Sequence, residues 1–106
     1  MTPSENIRTK LADVAKSNFP DSEVFLYGSH ARGDSNKNSD WDILILLNLP
    51  SINFSTETAL MDAYYELELE TGEVISPIIY SKSEWLGKHS ETPLFKSIKR
   101  EGIRLK

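Results

Sequence analysis

The run Ile43-Leu44-Ile45-Leu46-Leu47 is the most apolar stretch of the chain, and Asp40 and Asp42 stand at its entrance. Five consecutive aliphatic residues, β-branched at alternate positions, predict a strand buried on both faces, which is a central strand. Side chains alternate along a strand, so two acids two residues apart share one face. Like charges that close repel each other unless a cation lies between them. The pair therefore marks either a binding site for a hard divalent ion, Mg²⁺ above all, or two solvated acids at a frayed strand end.

The chain around this strand has 106 residues, enough for one domain over 1–106 and a core needing no staples. It has no cysteine, which excludes disulfides, thiolate metal sites and thiol nucleophiles, and its two histidines, His30 and His89, lie too far apart for a zinc spacing. Sixteen acids against twelve bases give a net charge of −4, so a general binder of nucleic-acid backbone is not expected. The start has neither the basic flank nor the apolar stretch of a signal peptide, no run suits a membrane span, and a cytoplasmic address follows by default.

Thr2-Pro3-Ser4-Glu5 predicts a capped helix start, with Ile7, Leu11, Val14 and Ala15 on the apolar face and an end near Asn18-Phe19-Pro20. Val24 to Tyr27 reads as a buried strand closed by Gly28. After the central strand, Ser55 to Thr71 predicts a second helix with Gly72 past its end. Val74 to Tyr80 is a strand that Pro77 places at an edge or a bulge. Thr92-Pro93 starts a short helix that Gly102 ends before a last strand at Ile103 to Leu105. The predicted order is helix, strand, strand, helix, strand, helix, strand.

Chemistry concentrates between Tyr27 and Leu47. A glycine closing a buried strand lets backbone approach a ligand, and the following serine offers a hydroxyl and an amide to a phosphate oxygen, so Gly28-Ser29 is a candidate anion cradle leading into a possible short helix. A plain tight turn has the same sequence. Arg32 is placed to reach phosphate or to brace the loop against Asp34, and Lys37 adds a second positive charge. His30 adjoins Ser29 but has no triad partner, and Trp41, between the two acids, faces the core. Trp85 suits the core first, and a base or a partner as alternatives. Arg32-Gly33-Asp34 as an adhesion motif and Asn53-Phe54-Ser55 as a glycosylation sequon both require an extracellular chain.

Gly28-Ser29, then Ala31-Arg32-Gly33, then Ser39-Asp40, Asp42, Ile43 and Leu44 resemble the signature of the DNA-polymerase-β-like nucleotidyltransferase superfamily, and within it the minimal nucleotidyltransferases. The resemblance implies an α+β (α/β) fold of the polymerase-β palm type, with a mixed four-stranded sheet and helices packed mainly on one face. It implies transfer of a nucleoside monophosphate, AMP from ATP, to a hydroxyl, with Mg²⁺ or Mn²⁺ as the metal and pyrophosphate leaving. Asp40 and Asp42 would be the catalytic metal ligands, and Gly28, Ser29, Arg32 and Ser39 would hold the nucleotide. Small relatives are paired with helical HEPN toxins, so the implied acceptor lies on such a partner or on the chain's own oligomer.

One departure stands out. The family places a third carboxylate on the strand after the second helix, and Val74 to Tyr80 contains none. Ser76 is the expected occupant of that position, Glu73 the nearest substitute, and Glu68 and Glu70 are expected on the helix. Two readings follow: a transferase, or an antitoxin of weak or no turnover that acts by binding.

Overall fold

The computed structural model describes residues 3–106. Along the chain run α1 (Pro3–Asn18), β1 (Glu23–Tyr27), α2 (Ser29–Arg32), β2 (Trp41–Leu47), α3 (Phe54–Thr71), β3 (Ile75–Ser81), α4 (Lys82–Leu86), α5 (Pro93–Glu101) and β4 (Ile103–Arg104). Thr2, the cap of the box predicted at the N-terminus, lies outside the described residues. The strands form one sheet in the order β3-β2-β1-β4. β1 is antiparallel to β2 and to β4, whereas β2 and β3 run parallel. A parallel neighbour needs a crossover connection, and α3 supplies it.

The central place of β2 follows from its sequence. Trp41, Ile43, Ile45 and Leu47 point to one face and pack with Leu11 and Ala15 of α1 and Leu60, Tyr64 and Leu67 of α3. Leu44 and Leu46 point to the other and pack with Trp85 of α4 and Ile98 of α5. The two long helices therefore share one face, and two short ones cover part of the opposite face. Tyr64 locks the long pair together, its hydroxyl donating to the Leu11 carbonyl at 2.8 Å inside the core.

Local chemistry sets the ends of α3. Asn53 is the N-cap, its Oδ1 accepting the Thr56 amide at 2.8 Å, and Gly72 closes the helix in the left-handed region at φ 75°. β3 is an edge strand, as Pro77 requires. α4 is an addition to the predicted order: five residues are too few to show a helical period, and its start is set by the Ser81 hydroxyl, which accepts the Glu84 amide. That short helix turns Trp85 into the second core, 5% exposed and packed on Tyr80 and Phe95 at ring distances of 5.3 and 5.1 Å.

Candidate active site

Three strands bring the site together at one end of the sheet. β1 ends where its antiparallel neighbour β2 begins, and β3 begins beside it, so Tyr27 lies opposite Asp42 and Asp42 lies opposite Ser76. Asp40 and Asp42 stand on the face that also carries Tyr27, Ile78 and Tyr80. The Ser76 hydroxyl donates to Asp40 Oδ2 at 3.2 Å. Ser76 thus occupies the position beside the acids at which the sequence looked for a third carboxylate.

The turn after β1 is built against the second acid. Gly28 has φ 75° and ψ −157°, a conformation open essentially to glycine alone. A Cβ at this position would collide with Asp42 Oδ2 and lie 3.3 Å from its carboxyl carbon. Both the dihedrals and the missing side chain are therefore needed to seat that carboxylate under the turn. The Gly28 carbonyl accepts the amides of Ala31 and Arg32, winding the chain into α2. The leading amides of such a turn have no intrahelical acceptor and remain available to an oxygen ligand.

Electrostatics single out Asp42. Burial first, then the neighbouring Asp40, raise its pKa above the ordinary carboxylate value, against weaker opposite effects of His30 and Arg32. The Tyr27 phenol is pushed up to about 12, by burial and then by the charges of Asp42 and Tyr80. Both shifts share a cause, a partly dry wall where negative charge is disfavoured. Tyr27 was not singled out from the sequence; its position immediately before Gly28, across from an acid in an antiparallel pair, is the signal that identifies it.

The remaining expectations are met unevenly. Arg32 braces the loop, its Nε donating to Asp34 at 3.3 Å and its Nη1 to Glu101 of α5 at 3.2 Å. The Ser39 hydroxyl accepts the Asn36 amide at 3.0 Å, holding the loop that leads into β2. His30 stacks on Trp41 with ring centroids 3.6 Å apart and planes within 9°, and its Nε2 lies 3.2 Å from the Ser39 carbonyl. Glu73 is no substitute for the third acid, because its Oε2 accepts the Trp41 indole N–H at 3.1 Å on the other face of β2. Glu68 accepts the Ile75 amide, and Glu70 pairs with Lys10. Among the described residues, no group of three or more His, Cys, Asp or Glu is placed to hold a metal ion. Two carboxylates and a hydroxyl form a hard, all-oxygen donor set, which suits Mg²⁺ retaining water and phosphate oxygens as its other ligands.

A family model described as a nucleotidyltransferase domain matches residues 8–103 of this chain. A curated relative from Methanocaldococcus jannaschii, whose name assigns it as a protein adenylyltransferase, is 39% identical over 61 residues, 57% of this chain. The match spans 60% of that relative's length. Among solved structures, a toxin–antitoxin crystal structure with AMP-PNP superposes with a TM-score of 0.68 at 19% identity, covering 93% of this chain and 72% of that one. A double aspartate-to-glutamate variant of the toxin–antitoxin MntA-HpeT gives 0.66 at 17%, with the same coverages of 93% and 72%. At these identities the likeness is one of fold.

Proposed function

The chain belongs to the nucleotidyltransferase domain family, and on that premise we propose that it transfers AMP from ATP to a hydroxyl on a partner protein, a HEPN-type toxin. The observation that carries this reading is the seating of Asp42 beneath Gly28, with Asp40 on the same strand face. That arrangement brings a turn with available amides against paired acids. The name of the archaeal relative points to a protein acceptor, and the toxin–antitoxin neighbours point to a toxin as that acceptor.

The chemistry divides among this chain's residues. Asp40 and Asp42 would hold Mg²⁺, which when bound neutralises the pair and the charge on the triphosphate. The amides and hydroxyl at Ser29 hold phosphate oxygens, and Gly28 permits their approach. Arg32, tied to Asp34 and Glu101, fixes the loop and adds positive potential. In the transfer the acceptor oxygen bonds to the α-phosphorus, the bond from that phosphorus to the bridging oxygen breaks, and pyrophosphate leaves with the electron pair. The acceptor's proton must go to a base, and Ser76 is no base.

That last point favours a second reading: an antitoxin of slow turnover that relies on binding. Incubating the chain with labelled ATP, Mg²⁺ and the protein encoded beside it separates the two. Label on the partner that disappears with Asp40→Asn/Asp42→Asn supports transfer. A stable complex without label supports binding alone, and neither label nor complex defeats both readings.

A further inference from the structure

α3 buries one side and leaves a second apolar side open. Leu60, Tyr64 and Leu67 enter the core, while Met61, Tyr65 and Leu69 recur every four residues on the outer side, with Phe54 two turns upstream. At 100° per residue these four fall in one sector of the helix. Tyr65 is 58% exposed, Leu69 68% and Phe54 86%, so the stripe lies in solvent. Met61 and Tyr65 line a shallow cavity with Ile75 and Pro77 of β3, which continues the stripe onto the sheet edge. A contiguous apolar surface of this kind marks an interaction site.

Charge defines the partner. Glu57 and Glu68 border the stripe on one side and Asp62 and Glu66 on the other, Glu70 beyond them pairs with Lys10 of α1, and α3 itself contains no basic residue. A second copy would set these acids against their own kind, and an anionic membrane would be repelled in the same way. Strand addition at β3 is hindered because Pro77 offers no amide on this edge strand. Anchors at i, i+4 and i+8 are what an opposing helix reads. We propose that this surface docks an amphipathic helix of a partner protein, apolar along one side and bordered by Lys and Arg.

The inference rests on the reading that the acceptor is a protein, and it adds where that protein is gripped. Ile75 and Pro77, which line the patch, flank Ser76, whose side chain reaches Asp40 from the opposite face. A partner held at this edge is one strand's thickness from the transfer site.

The test is fluorescence anisotropy of the full chain with a labelled synthetic amphipathic helix, Leu on one side and Lys and Arg on its borders, against a scrambled peptide of the same composition. The patterned peptide should bind at least about tenfold more tightly than the scrambled one, and more weakly at high salt. Leu69→Ser/Tyr65→Ser and, separately, Asp62→Lys/Glu66→Lys should each lose at least about tenfold, these exposed positions leaving the fold intact. Asp40→Asn/Asp42→Asn should bind as the parent does. The two failures are thus distinguishable: lost transfer with intact docking defeats the function alone, and lost docking with intact transfer defeats this surface alone. Equal binding of the two peptides, or indifference to both surface variants, overturns the proposal. So does a concentration-dependent dimer in sedimentation that the Leu69→Ser/Tyr65→Ser change abolishes, which would make a second copy the occupant.

Discussion

The Ser76 hydroxyl donates a 3.2 Å hydrogen bond to Asp40 Oδ2, at the position for which the sequence resemblance led us to expect a third acid. A hydroxyl at this point brings a proton donor and no charge. It satisfies one oxygen of Asp40 without adding charge, and under the proposed transfer it leaves no carboxylate here to take the acceptor's proton. On that proposal, nucleotide binding and proton acceptance can be separated at this one side chain.

Ser76→Asp should raise the rate of AMP transfer by as much as about 10²- to 10⁴-fold, the usual worth of a positioned general base, with little change in ATP affinity. The same change places a third carboxylate beside two others, so the variant should melt lower than the parent in EDTA and recover with Mg²⁺ and ATP. Rates from labelled ATP and melting curves on one preparation check both halves. A folded variant that transfers no faster would show that proton acceptance does not limit this site.

Gly28→Ala should destabilise the fold by about 1 to 3 kcal/mol, because ψ −157° at positive φ is strained for any residue with a Cβ. Part of the loss comes from the collision with Asp42 Oδ2 and not from the dihedrals. The two contributions separate in a double-mutant cycle: Gly28→Ala should be less damaging in an Asp42→Ala background than in the parent. Strict additivity in urea denaturation would show that the turn and the acid are independent.

Much of this site was legible because strand period and turn chemistry are local. The alternation across Asp40, Trp41 and Asp42 placed two acids on one face and the indole on the other, and Gly28 announced a turn that only glycine can make. Ser76 was legible from its place within the Val74 to Tyr80 run, through the family resemblance. Partnerships across the fold were not legible. Arg32 reaches Glu101, 69 residues away, and Glu73 turns to the Trp41 indole, a choice that depends on how the ends of α3 and β2 meet. α4 was missed because five residues carry no period, and Asn53 was not singled out as a cap because its capping bond is seen only once the helix start is fixed.

Asp42 has a pKa raised by burial and by Asp40, so the folded chain binds its proton more tightly than the unfolded chain does. Its effect on stability is most favourable below the unfolded value, declines as pH rises from there through the raised folded value, and is a constant penalty above it. Asp42→Asn removes that penalty. The variant should therefore melt above the parent at neutral pH, and the gap between the two should close as pH falls below the ordinary carboxylate range. A variant that melts below the parent at neutral pH would show that Asp42 supports the fold.

His30 lies one residue from the candidate phosphate turn, yet its contacts are those of a positioning residue. Its ring stacks flat on Trp41 at 3.6 Å, its Nε2 lies against the Ser39 carbonyl, and its own carbonyl accepts the Arg8 guanidinium at 3.4 Å, so it clamps α2 to the start of β2 and to α1. An aromatic pair contributes about 0.5 to 1.5 kcal/mol beyond the area it buries. His30→Ala should lose at least that much stability and weaken ATP binding as the turn loosens, whereas His30→Phe, which keeps the stack and gives up only the bond to Ser39, should restore most of both. A proton-transfer role makes a different demand. Phe would then be as inactive as Ala while stability and ATP affinity stayed near those of the parent, and a labelled-ATP transfer assay run beside melting curves and ATP titrations of the three proteins decides between the two.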